Sequence, residues 1–494
     1  MRRWSAARVA EAAGASLIAE PAQARAGAGS PTAAAPGRQG PRGATVDSRT
    51  ASSGELFVGL RGERADGGEH AAEALRAGAW GVLVSPEHAD SARAATQAVA
   101  EAGGRAGAVL AHDDPLAGLQ ALALAWRREL GASGAKVVGI TGSTGKTSTK
   151  DILAALAGTR RRVASSPENR NTEIGLPLAV LAAPADTEVL VLEMAMRGVG
   201  QIAELTAIAE PDVAVIVNVG PVHLELLGTV EAIAAAKAEV IAGLAAGSTV
   251  VVPAGEPLLT PYLRADVKTI TFGDGADVVL LQARDDGEVL IEAHGREIVL
   301  RPTFSQAHNL LNLLAAVAAA LALGIDPQGS LDVRFSALRG ERRELPGGVV
   351  VIDDCYNANP MSMRAAIDDL AQTAPARRVA VLGDMLELGA QAPRLHREIG
   401  LYAAQRGVDV LVTVGALAAE MRGEFEGESY QTGDAQAAAE LLATLLCDGD
   451  TVLVKASRGV GLERVASTLA ADCGDDRAGG GSSSVTAAGE PGQR

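Results

Sequence analysis

The sequence predicts an α/β protein of three domains. A central parallel-sheet domain with a phosphate-binding loop is flanked by an N-terminal α/β domain and a C-terminal Rossmann-like domain. Three observations carry this. Short, almost purely apolar strands alternate with helical patterns over residues 131–335 and again over 336–473, the signature of parallel sheets covered on both faces. A glycine-rich turn ending in Lys-Thr joins the first of these strands to a helix. And 494 residues exceed what one hydrophobic core can organise.

In chain order, an amphipathic helix opens the protein, and residues 21–43 read as a low-complexity insertion rich in Ala, Gly, Pro and Arg. The first domain, to about residue 130, then has strands near Gly54–Leu60 and Gly81–Val84 and a helix near His70–Ala77. A helix over Pro115–Leu130 leads out of it. The central domain, 131–335, has strands at Lys136–Ile140, Glu188–Leu192, Val213–Asn218 and Thr249–Val252. A more β-rich stretch follows at Thr269–Leu300, with turn signals at Gly273-Asp274-Gly275 and Asp285-Asp286-Gly287. The third domain, 336–473, has strands at Val349–Asp353, Val379–Leu382, Val410–Val414 and Thr451–Val454, with no G-x-G-x-x-G fingerprint. The tail, 474–494, has the composition of a disordered segment.

The run Gly139-Ile140-Thr141-Gly142-Ser143-Thr144-Gly145-Lys146-Thr147-Ser148 carries the chemistry. Strand, glycine loop, Lys-Thr and helix is the layout that cradles a nucleoside triphosphate. Backbone N–H groups at the helix start face the phosphates, Lys146 neutralises them, and the Thr147 hydroxyl suits Mg²⁺. The first glycine lies one position earlier than in G-x-x-x-x-G-K-[ST], so this is a variant loop.

Ligands of open parallel sheets bind beyond the carboxyl ends of strands. Glu193, His223, the cluster Asp353-Asp354-Cys355-Tyr356-Asn357 and the run Lys455-Ala456-Ser457-Arg458 all lie at such ends. Glu193 and His223 near the loop suggest a Mg²⁺ site, although histidine is an unusual Mg²⁺ ligand. Lys455 and Arg458 could hold an anionic group. Taken alone, Lys237 reads as a surface lysine of a helix. Nucleotide in the second domain and polar strand ends in the third suggest a cleft between them that closes on ATP.

Composition excludes other classes. A net charge of −16 with 2% aromatic residues argues against nucleic-acid partners. No run of apolar residues is long enough for a membrane span. Three cysteines far apart fit a reducing cytoplasm and form no zinc pattern.

These runs resemble the Mur ligases, the ATP-dependent amide-forming enzymes of peptidoglycan assembly, over nearly the whole folded chain. The variant loop is similar to their phosphate loop. Val46-Asp47-Ser48-Arg49 with Gly54-Glu55-Leu56-Phe57, Asp353–Pro360 and Val381–Gly389 are similar to the members that add D-alanyl-D-alanine. The resemblance implies ligation of D-Ala-D-Ala to UDP-MurNAc-tripeptide through an acyl phosphate, in a cytoplasmic monomer. It implies that Asp47, Ser48 and Arg49 hold the uridine nucleotide and that Asn171 and Thr172 face the muramoyl peptide. Glu193, His223 and Thr147 would ligate Mg²⁺, two ions being expected, with Lys237 carbamoylated as a further ligand. Asn309, Arg339 and Asp353 would complete the ATP site, and Tyr356, Asn357, Lys455, Ser457 and Arg458 would contact substrate. One departure is visible: the family's Asp-Gly-His reads Asp66-Gly67-Gly68 here, with His70 displaced.

Two other readings stay open on sequence. One is a different ligase of this fold, such as the tripeptide-forming enzyme or a folylpolyglutamate synthetase; the runs at 353–360 and 381–389 speak against it. The other is a nucleotide-dependent switch. The chain lacks the guanine-reading Asn-Lys-x-Asp, and a third α/β domain suits two substrates better.

Overall fold

The computed structural model describes residues 1, 3–21, 40–167 and 169–475. Most of the expected insertion, residues 22–39, and the tail beyond 475 lie outside the described residues. The chain forms two compact units: residues 1–220 with 226–336, and residues 221–225 with the chain from Ala337 onward.

The first unit contains two sheets. One has five strands: β1 (Ser16–Ala19), β2 (Ala44–Thr45), β3 (Leu56–Val58), β4 (Gly81–Val84) and β5 (Ala108–Ala111), in the order β1-β5-β4-β3-β2. Only β1 is antiparallel to its neighbour. β3, β4 and β5 are buried at every position, as strands covered on both faces must be.

The second sheet has ten strands: β6 (Lys136–Thr141), β7 (Val163–Ser165), β8 (Val189–Glu193), β9 (Val213–Ile216), β10 (Thr249–Pro253), β11 (Lys268–Phe272), β12 (Val278–Ala283), β13 (Val289–Ala293), β14 (Arg296–Pro302) and β15 (Gly329–Leu331). Their order is β15-β14-β13-β12-β11-β10-β9-β6-β8-β7. The expected parallel sheet is thus extended by an antiparallel meander, β12 to β14. Period-2 alternation marks that part: β14 buries every second residue from Ile298 to Pro302. The core joins Val138, Ile140, Val191, Val215 and Val251 to the helix Ala307–Ala322, whose residues 313–320 are all buried. Alanine lets that helix pack closely along its whole surface. The helix Pro115–Ala132 ties the two sheets, with Trp126 Nε1 donating to the Ala183 carbonyl at 3.1 Å.

The second unit carries β16 (Glu341–Glu344), β17 (Val350–Asp353), β18 (Arg378–Gly383), β19 (Val410–Val414), β20 (Glu428–Thr432) and β21 (Thr451–Lys455), in the order β16-β17-β21-β18-β19-β20. All neighbours are parallel except β16 with β17. Among the described residues no helix is long and apolar enough to cross a membrane.

Candidate active site

In the ten-stranded sheet β6 lies between β8 and β9. The chain runs from β6 to β7 and β8 on one side, then crosses to β9 on the other, so the carboxyl ends of these strands border a topological switch point. The glycine loop follows β6, Glu193 ends β8, and Asn218 follows β9. In register, Ile140 pairs with Glu193 and Thr141 with Ile216.

The loop is held by side chains from both flanks. Asn218 Oδ1 accepts the N–H of Ser143 at 3.1 Å and of Thr144 at 2.9 Å, and its Nδ2 donates to Thr144 Oγ1 at 2.9 Å. Ser143 Oγ donates to the Gly220 carbonyl at 3.0 Å. Gly145, at φ +74°, caps the helix Lys146–Gly158. A Cβ there would fall 2.4 Å from Asn312 Oδ1, and one on Gly142 would fall 3.0 Å from Val217 Cβ. Lys146 Nζ donates to the Gly142 carbonyl at 2.9 Å, folding the side chain back over the loop. Ser148 sits half-buried in the first turn of the helix.

At the helix start Thr147 Oγ1 donates to Glu193 Oε2 at 2.7 Å, and Asn171 Nδ2 donates to Glu193 Oε1 at 2.9 Å. Thr147 and Glu193 are both buried. A buried carboxylate held by a hydroxyl and an amide, with neither partner a cation, is the hard-oxygen donor set that suits Mg²⁺. Asn171 and Glu193 are thereby brought together, while Thr172 Oγ1 instead accepts the Gly175 N–H at 3.4 Å.

Lys237 overturns the reading of a surface lysine: it is 2% exposed. Its helix, Val230–Ala242, buries seven residues; Glu231, Ala235 and Glu239 form its outward side, and Lys237 lies on the buried one. Burial first, and then the positive charge of Lys146, hold the Lys237 amine well below the usual lysine range. Asn309 is buried near the start of the helix Ala307–Ala322, accepting from Asn312 Nδ2 at 3.3 Å.

Asp47, Ser48 and Arg49 stand apart from this cluster, on a turn after β2. The Arg49 side chain, with its backbone N–H, holds the Asp47 carboxyl down to about 2. Ser48 Oγ donates to Glu73 Oε2 at 3.3 Å. An imidazole does stand beside Asp66, but it comes from His88, whose Nε2 is 3.1 Å from Asp66 Oδ2. Gly68 makes room for it: a Cβ there would lie 2.2 Å from the His88 ring.

In the second unit, Asp353 ends β17 fully buried, and burial pushes its carboxyl above the usual range. Lys455 is engaged internally, its Nζ donating to Asp354 Oδ2 at 2.7 Å and to the Asn357 carbonyl at 2.8 Å. Ser457 Oγ accepts the Leu386 N–H at 2.9 Å. Tyr356 has two guanidiniums over its ring, Arg339 at 4.0 Å and Arg458 at 5.6 Å from the ring centre. His223, expected beside Glu193, belongs by its contacts to this unit, where its Nδ1 hydrogen-bonds the Glu387 carboxylate.

Sequence reasoning missed Asn218 and Asn312, which shape the loop. The available signals were an asparagine directly after a strand, and an asparagine one helical turn beyond Asn309.

Residues 140–320 match the Mur ligase middle domain and residues 338–458 the Mur ligase glutamate ligase domain. The chain belongs to the Mur ligase family. It is 36% identical over 446 residues to the UDP-N-acetylmuramoyl-tripeptide–D-alanyl-D-alanine ligase of Bacillus subtilis, covering 86% of this chain and 93% of that one. The Mycobacterium tuberculosis enzyme of the same name is 37% identical over 475 residues, covering 87% and 93%. Among solved structures, MurF ligase of Thermotoga maritima in complex with ADP superposes with a TM-score of 0.74 at 32% identity, covering 88% of this chain and 98% of that one. MurF of Acinetobacter baumannii superposes with a TM-score of 0.79 at 25% identity, covering 95% and 99%.

Proposed function

We infer that this chain joins D-alanyl-D-alanine to UDP-N-acetylmuramoyl-tripeptide at the expense of ATP, forming the UDP-MurNAc-pentapeptide of peptidoglycan synthesis. The carrying observation is the pair of buried Thr147 and Glu193, joined by half-buried Asn171, against a preformed phosphate loop, in a chain whose relatives of that name match over most of their length. The requirement for ATP assigns catalysis to the cytoplasm.

The tripeptide's terminal carboxylate oxygen attacks the γ-phosphorus of ATP, the bond to the β–γ bridging oxygen breaks, and ADP leaves. The amine of D-Ala-D-Ala then attacks the acyl phosphate carbon and loses a proton, and phosphate departs. Carboxylate is a poor acyl donor, and phosphorylation supplies the leaving group. Backbone N–H groups at the start of the helix Lys146–Gly158 cradle the phosphates, and Lys146 swings from the Gly142 carbonyl to the transferring group. Asn309 contacts the adenine. Positioning carries much of the acceleration.

Thr147, Glu193 and Lys237 are the residues of this unit that would hold Mg²⁺, which when bound supplies positive charge for the phosphoryl oxygens. An amine must be neutral to capture CO₂, and the environment of Lys237 favours the neutral form; its carbamate, formed with loss of one proton, would be an anionic oxygen ligand. Asp47, Ser48 and Arg49 bind the uridine nucleotide, and Asn171 and Thr172 face the peptide. In the second unit, Arg339 and Arg458 around Tyr356 are the contacts for anionic substrate groups. Residues 1–130, 131–335 and 336–473 act as three domains, each with its own sheet.

Phosphate release by purified protein tests the reading. It should require UDP-MurNAc-tripeptide, D-Ala-D-Ala and ATP together. Hydrolysis of ATP at the same rate without either acceptor would overturn it.

A further inference from the structure

The helix that starts at the phosphate loop carries a second buried lysine, which the reaction above does not use. Lys150 is 4% exposed. Its Nζ donates to the Ser166 carbonyl at 3.0 Å and pairs with Asp151 Oδ1 at 2.8 Å. The other carboxylate oxygen, Asp151 Oδ2, accepts both the Ser336 N–H at 2.9 Å and the Ser336 hydroxyl at 3.0 Å.

Ser336 is the last residue of the first unit. Beyond it the chain turns sharply, with Leu338 at φ +60° and Gly340 at φ +76° on either side of Arg339. On the other flank, Ser166 Oγ accepts the N–H of Glu193 at 3.1 Å, and Ser166 N–H donates to the Val191 carbonyl at 2.9 Å. One node therefore joins three things: the phosphate-loop helix one turn past Lys146, the backbone of Glu193, and the point where the chain leaves for the second unit.

As a stabiliser the pair contributes little, because a buried ion pair roughly offsets its own desolvation. Its directional bonds do something else. They allow few arrangements, so a displacement at the helix start reaches Ser336 through fixed geometry. We propose that Lys150 and Asp151 are positioning residues that couple nucleotide occupancy of the phosphate loop to the anchoring of Ser336. Both side chains are engaged by protein groups, the Ser166 carbonyl and Ser336. The inference rests on the ligase reading and adds to it a route by which bound nucleotide is sensed at the exit of the first unit.

The test uses the full chain, with Asp151→Asn and Ser336→Ala. Hydrogen exchange is followed over residues 333–340 with and without Mg·ADP, alongside kcat and KM for ligation. In the wild type, ADP should slow exchange at the Ser336 amide several-fold, and D151N should abolish that ADP dependence. In D151N kcat should fall about three- to thirtyfold, the range expected for a coupling residue, with KM for ATP little changed. S336A should fall between wild type and D151N, and Ser336→Thr, which keeps the hydroxyl, should recover most of the loss. Should D151N fail to fold, S336A and S336T still decide the matter. The proposal is overturned if wild-type exchange at Ser336 ignores ADP, or if the variants lose only thermal stability and keep their turnover. A wild type that never ligates would sink the ligase reading instead, while the ADP-linked exchange would still be measurable.

Discussion

The hydroxyl of Thr147 donates to the carboxylate of Glu193 at 2.7 Å across the ends of two adjacent strands. This bond joins the first turn of the phosphate-loop helix to the carboxylate proposed to hold Mg²⁺. It leads to a first prediction. Glu193→Gln keeps the shape and the Asn171 contact but removes the charge. Turnover should drop about a hundredfold or more, as for loss of a preorganised electrostatic group, and the Mg²⁺ concentration for half-maximal rate should rise. Thermal unfolding should be little affected. A variant with normal Mg²⁺ dependence would remove Glu193 from the metal site.

Lys146 rests on the Gly142 carbonyl at 2.9 Å, and its proposed role requires it to move from there to phosphate. Lys146→Ala should cost about three orders of magnitude in acyl-phosphate formation, while the unfolding midpoint moves little. Turnover within tenfold of wild type would refute its role in phosphoryl transfer.

Lys237 offers a prediction with opposite signs for activity and stability. Lys237→Met should be almost inactive, and in CO₂-free buffer at neutral pH it should be more stable than wild type by about 1–3 kcal/mol, because a buried amine is replaced by an apolar chain. The sign follows from linkage. The folded amine binds its proton less tightly than the unfolded one, so wild-type stability rises with pH between the folded value and about 10.4. The advantage of Met over Lys should therefore shrink as pH rises through that window. Short carboxylic acids should partly restore activity to Lys237→Ala; complete failure of rescue would count against the carbamate.

What could be read from sequence was whatever left a local pattern. The strands at Lys136, Val213 and Val410 are continuous apolar runs between turns, and they stand close to where they were expected. β16 was not legible. Glu341-Arg342-Arg343-Glu344 has no apolar alternation and is a strand only because it pairs with β17 at a sheet edge. β2, two residues long, left no signal either. At the site, the loop and Glu193 announced themselves through glycine spacing and strand ends. The burial of Lys237 was marked only by Glu231 and Glu239 standing on the other side of its helix, a signal weakened by the alanines between them. The place of His223, in a five-residue segment that goes with the second unit, depends on long-range packing that no local window contains.

The loop's shape depends on Gly145 facing Asn312. At φ +74° any side chain is strained, and a Cβ would press on Asn312 Oδ1 at 2.4 Å. Asn312 has little freedom to retreat, being buried and bonded to Asn309 at 3.3 Å. Gly145→Ala should destabilise the first unit by about 1–3 kcal/mol and weaken ADP binding at least tenfold, because the loop N–H groups no longer converge. Adding Asn312→Ala removes the clash but not the backbone strain. The double variant should therefore regain part of the stability, while ADP affinity stays low because Asn312 also orients Asn309. Calorimetric titration with Mg·ADP alongside thermal unfolding separates the two effects. If the double variant recovered full affinity, the steric contact alone would account for the glycine, and the backbone conformation would carry no weight in nucleotide binding.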